Sequence, residues 1–182
     1  MTEREEPRPP DVPDAGPDAG PDAGPDAGDD KAGVIMHPPV LMLGGLIAAC
    51  LLESMWPLGP GPFGGGLRPA LIGLGIFAIG AAIVFYCAVL FDRAGTTIPV
   101  HQPTTALVMH GPYAVSRNPI YLAVILAYCG LAIAATTLWA FLILPGLIYV
   151  LTHGVIMREE AYLEEKFGDP YREYLKRVPR WL

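Results

Sequence analysis

Apolar residues fill four stretches of this chain, and the sparse polar positions between them set where it must turn. Residues 34–55 are apolar except for His37 near one end and Glu53 near the other, and Pro57 with the Gly-Pro-Gly-Pro run from Gly59 closes the stretch. That pattern predicts a transmembrane helix and a tight turn. Residues 70–91 carry no charge over 22 positions, and Gly73, Gly75, Ala78, Gly80 and Ala82 offer small side chains for close helix contact, which predicts a second span. Between 119 and 157 lie 39 residues without a formal charge. One helix of that length would reach roughly 58 Å, about twice a hydrocarbon core of ~30 Å, so the stretch must fold back. Thr136-Thr137 is the best polar break, which predicts a short third span over 120–135 and a fourth over 138–155.

Beyond 158 the period changes. Leu163, Phe167, Tyr171, Tyr174, Leu175 and Val178 follow helical spacing on one face. Gly168 can end one helix, with Asp169 and Pro170 as cap and first position of the next. The expected fold is an all-α integral membrane protein with about four transmembrane helices, including a C-terminal helical hairpin, and a cytoplasmic amphipathic C-terminal helical segment.

Composition agrees. Charged residues make up 16% of the chain, against about 25% in soluble domains, which argues against a soluble enzyme. The net charge of -6 is unevenly spread: residues 1–30 hold ten acids and two arginines, so the remainder is weakly positive at +2. No basic footprint for nucleic acid results. Pro13-Asp14-Ala15-Gly16 recurs three more times up to Gly28 without an aromatic residue, so residues 1–33 are expected to be a disordered acidic tail and 34–182 the membrane domain. The acidic, proline-rich start is unlike a signal peptide. Cys50, Cys87 and Cys129 are far apart in apolar stretches, as buried small hydrophobes are. Four spans put both termini on one side, which carries eleven Lys and Arg, against Arg68 alone on the other. The bias predicts cytoplasmic termini in an inner membrane, with Trp56 and Trp139 at the outer interface and Trp181 near the inner one.

Two segments hold polar residues that solvation alone does not explain. In HGPYAVSRNPIY, residues 110–121, Gly111 allows close backbone approach to a ligand and Pro119 suits the first helical position, so the segment could bind an anion or carboxylate. Taken alone, the segment reads more simply as a helix entry with an interfacial Arg and Tyr. The second segment opens on Arg158, Glu159 and Glu160, which continue from the last span. The two glutamates lie about 100° apart on the helix, so at least one should face the bundle, where ionisable groups are functional candidates. Carboxylates suit a ribose diol or a cationic cofactor; a solvated start to an interfacial helix is the alternative. Glu173 and Arg177 read as surface helix support. His37, His101, His110 and His153 show no metal spacing, and no GxGxxG or hydrolase motif occurs.

Together HGPYAVSRNPIY and REEAYLEEKFGDPYREYLKRVPRWL, in that order around an apolar hairpin, resemble the integral membrane methyltransferases related to isoprenylcysteine carboxyl methyltransferase and, more distantly, phosphatidylethanolamine N-methyltransferases. The resemblance covers roughly residues 67–182. It implies S-adenosylmethionine as cofactor, bound by His110, Gly111, Tyr113, Asn118, Pro119, Tyr121, Glu159 and Glu160. Arg117 matches the family's arginine in an Arg-His-Pro segment in which Asn118 replaces the His. Arg117 or Arg158 would serve a carboxylate or thiolate acceptor, and Glu160 would be the base for an amine. The expected partners are the bilayer and a lipophilic or small membrane-soluble acceptor, without metal or nucleic acid. The alternatives are phospholipid amine N-methylation, small-thiol S-methylation, or a non-catalytic membrane scaffold.

Overall fold

The computed structural model describes residues 37–59, 61–95 and 106–182, and among these there are helices and no strands. The acidic repeat, His101 and part of the loop after the second span lie outside the described residues. The six α-helices are α1 (Pro38–Met55), α2 (Leu67–Arg93), α3 (Pro119–Ala134), α4 (Trp139–Leu151), α5 (Met157–Phe167) and α6 (Asp169–Arg177). A π-helical turn, Thr152–Ile156, joins α4 to α5 without a break, so Trp139–Phe167 is one continuous helical rod of 29 residues.

Pro38–Met55, Leu67–Arg93 and Trp139–Phe167 are long and apolar enough to cross a membrane. The expected third span is present as α3, but its 16 residues reach about 24 Å, short of the ~30 Å core. The hairpin turns where the polar break predicts it. Thr136 there has a positive φ of 52°, and the Thr137 hydroxyl donates to Glu53 Oε2 at 3.4 Å. Glu53 Oε1 accepts the Gly59 N–H at 3.0 Å, and Trp139 Nε1 donates to the Trp56 carbonyl at 2.9 Å, so the end of α1 and the hairpin close one end of the bundle. Trp181 packs at the opposite end, against the cluster that contains Tyr121 and Ile156.

Helix α3 runs against α2 and also meets α1 and α4. Its closeness to α2 comes from Gly73, Gly80 and Gly130: a Cβ on Gly80 would lie 2.6 Å from the Ala123 carbonyl, and one on Gly73 would collide with the Gly130 carbonyl. Gly75, Ala78 and Ala82, expected to share this role, instead face outward and are exposed. Small residues permit contact on any face, and the packed side is set by the seven-residue spacing of Gly73 and Gly80, two turns apart.

At the motif-bearing end, α5 and α6 meet at Gly168. The cap expected at Asp169 is displaced by one residue: Gly168, with φ 59°, occupies the cap position and Asp169 and Pro170 are the first helical residues. Asp169 and Glu164 both bind Arg172, each at 2.9 Å. The expected Glu173–Arg177 side-chain support is replaced by a contact of Arg177 Nε with the Glu173 carbonyl at 3.4 Å.

Candidate functional site

The loop that precedes α3 is shaped by its own residues. Gly111–Ala114 forms a 310 turn, and Gly111 starts it with φ 63°, where a Cβ would press on Leu90 at 3.0 Å. Tyr113 then turns inward and meets Phe91 edge to face, ring centroids 5.5 Å apart. Pro119 is the first residue of α3, as its fixed φ and missing N–H favour. Asn118 precedes it without capping the helix. Its Nδ2 instead donates to the Arg180 carbonyl at 3.0 Å, while its N–H is taken by Ser116 Oγ at 3.1 Å.

The C-terminal segment is thereby stitched to this loop. Ser116 Oγ donates to the Arg180 carbonyl at 3.3 Å, the Arg117 N–H to the Pro179 carbonyl at 3.0 Å, and the buried Tyr174 hydroxyl to the Tyr113 carbonyl at 2.7 Å. Burial pushes the Tyr174 hydroxyl up to about 12, and burial likewise raises Tyr113 and Tyr171. At neutral pH these phenols therefore remain protonated donors.

The paired glutamates sit in different electrostatic settings. Glu160 lies between two guanidiniums: Arg117 Nη1 is 3.1 Å from Oε1, and Arg180 reaches both oxygens, Nη2 to Oε2 at 2.6 Å and Nε to Oε1 at 3.1 Å. The hydrogen bonds to Glu160 raise the Arg180 pKa, so the guanidinium is held charged. Glu159 is 7% exposed and accepts one bond, from the Tyr121 hydroxyl at 2.7 Å. Its Oε1 is buried without a partner, and so is Arg117 Nε. A native fold rarely leaves buried polar atoms unmatched, so an acceptor and a donor left open together point to a ligand's polar groups.

These residues border one cavity of about 660 Å³, counted with its open mouth. Tyr113, Arg117, Asn118, Tyr121, Glu159 and Glu160 line it, joined by Phe91, Leu163, Tyr171 and Tyr174. Of the other residues expected at the site, His110 and Gly111 are exposed, Pro119 is buried at the helix start, and Arg158 is exposed; none of the four lines the cavity. No group of three or more His, Cys, Asp or Glu side chains that could hold a metal occurs among the described residues.

Arg180, Ser116, Tyr171 and Tyr174 are parts of the site that sequence reasoning did not single out. Arg180 registered there only as a positive charge. Its one local signal is Pro179, which follows the extended Val178 and cannot continue α6, so the chain leaves the helix and returns toward the loop.

The family model described as phospholipid methyltransferase matches residues 69–170, which contain the α2–α3 pair, the loop and the glutamates. An uncharacterized protein of Haemophilus influenzae is 47% identical over 57 residues, 29% of this chain and 90% of that protein. The cobalt-zinc-cadmium resistance protein CzcN of Cupriavidus metallidurans is 26% identical over 115 residues, 62% of this chain and 49% of its own length. The chain thus spans about half of CzcN. No solved structure matches.

Proposed function

The chain belongs to the phospholipid methyltransferase family, and from that premise we propose that it transfers a methyl group from S-adenosylmethionine to a lipophilic acceptor at the cytoplasmic face of an inner membrane, with both termini cytoplasmic. The observation that carries this reading is the pair of unmatched buried atoms, Glu159 Oε1 and Arg117 Nε, in two residues that line one cavity. Membership makes the protein a membrane methyltransferase.

The donor set fits the cofactor. A carboxylate with an open oxygen suits a ribose hydroxyl or an ammonium group, the open Arg117 N–H suits a carboxylate, and Asn118 and the tyrosines add neutral polar groups. S-adenosylmethionine supplies a methyl group on a cationic sulfonium whose charge disappears on transfer. The chain's part is to align the partners and keep water out. Phe91, Leu163 and Ile120 give the cavity an apolar wall for this. Glu160 has both oxygens engaged by arginines, so its role is to position rather than to take a proton. The proton of an amine acceptor would go to the open oxygen of Glu159.

The lipophilic character of the acceptor is supported by an apolar cleft of about 470 Å³ between α1, α2 and α3, bordered by residues such as Met42, Leu46, Phe77, Phe85, Val124 and Leu131. Its Ala88 and Val124 are each three residues from cavity residues, Phe91 and Tyr121. On a helix that is the same face and a rise of about 4.5 Å. A hydrocarbon chain in the cleft would thus bring its polar end to the cavity. Purified protein given methyl-labelled S-adenosylmethionine and a total membrane lipid extract is expected to move label into the organic phase. Label found only on water-soluble amines or thiols would overturn the lipophilic acceptor, and no transfer to any acceptor would overturn the reading.

A further inference from the structure

Resting on the cofactor reading above, we infer that Arg180 is a positioning residue for the cofactor site, acting through Glu160 rather than by touching the ligand. It does not line the cavity, yet it makes the two-point contact with Glu160, 20 residues earlier in the chain, and is 35% exposed at its side chain against 13% for Glu160. Glu160 has a second cation available in Arg117, at 3.1 Å. Without Arg180 the carboxylate is free to turn fully onto Arg117, engaging the guanidinium whose buried Nε has no partner. Arg180 therefore divides Glu160 between two cations and keeps Arg117 available.

The backbone of Arg180 serves the same end. Its carbonyl accepts from both Ser116 and Asn118, so one residue fixes a carboxylate on α5 and an amide at the start of α3. The guanidinium holds Glu160 by a fixed two-point fork, which a lysine ammonium cannot copy.

Charge and positioning make opposite forecasts. Removing a cation beside the cavity should by charge alone favour a cationic sulfonium. If Arg180 positions Glu160, Arg180→Gln instead weakens S-adenosylmethionine binding by about tenfold or more, and Arg180→Lys by about threefold to tenfold. The test is equilibrium binding of labelled S-adenosylmethionine to the full chain in detergent, per folded molecule, with Arg172→Gln as the exposed control expected to bind like wild type. In a double-mutant cycle, Arg180→Gln should add little once Glu160→Gln is present. Added guanidinium should restore part of the affinity of Arg180→Gln. Should that variant fail to fold, the Arg180→Lys affinity decides. Unchanged or tighter binding in the Arg180 variants, or fully additive losses in the cycle, overturns the inference. Absence of binding by wild type would overturn the cofactor reading instead, and so the two failures are distinct.

Discussion

Glu160→Gln is expected to weaken S-adenosylmethionine binding by about tenfold to a hundredfold. Glutamine keeps the shape and one acceptor oxygen but turns the other position into a donor, which then faces guanidinium N–H groups that need acceptors. Arg117 and Arg180, with side chains 15% and 35% exposed, would be left without the carboxylate they share. The net charge over the three groups rises from one positive to two, which opposes a cationic sulfonium beside them as well as disordering Arg117. Charge-assisted contacts of this kind are worth roughly 1.5–3 kcal/mol each, and about 1.4 kcal/mol is a factor of ten. Glu160→Asp, one methylene shorter, should fall between glutamine and wild type because it cannot reach both arginines. Titration of each variant by calorimetry in detergent reads the effect. Wild-type affinity in Glu160→Gln would contradict the role assigned to the triad.

The second large effect is steric. Gly130→Val should cost more than about 3 kcal/mol of stability. A Cβ at this position would lie 2.5 Å from the Phe77 backbone nitrogen and 2.6 Å from the Gly73 carbonyl, and backbone atoms inside a helix cannot swing aside as a side chain does. Helices α2 and α3 would have to separate. Both carry residues of the cavity wall, Phe91 and Tyr121, so cofactor binding should fall along with stability. Gly75→Val is the matched comparison: its Cβ would meet nothing within 4 Å, and it should leave the melting temperature close to wild type. Thermal unfolding in detergent separates the two, and equal melting temperatures would refute the glycine-mediated packing.

The helices were legible because uninterrupted apolar runs in a chain with few charges leave little choice of element. Spans expected at 34–55, 70–91, 120–135 and 138–155 lie close to α1, α2, α3 and α4 with its π turn. What the runs do not carry is direction. Gly75, Ala78 and Ala82 look like contact residues in the sequence as much as Gly73 and Gly80 do, and only the partner helix separates them. Local chemistry was legible in the same way: the loop glycine, Pro119 and the adjacent glutamates announce themselves by type and spacing. Arg180 does not, because its meaning comes from bonds to Ser116 and Asn118 more than sixty residues away, made by a backbone return after Pro179. The sequence offers Arg117 and Arg158 alike as cations for an acceptor. On the folded helix Arg158 is exposed, and the cations that reach Glu160 come from the loop and the C-terminal segment.

Whether one small cavity at the end of this bundle receives the methyl donor is decided by calorimetric titration of S-adenosylmethionine into the purified wild-type chain. Saturable binding at one site per chain is the expected result. A folded, helical wild-type protein that gives no saturable heat at any attainable ligand concentration would contradict it.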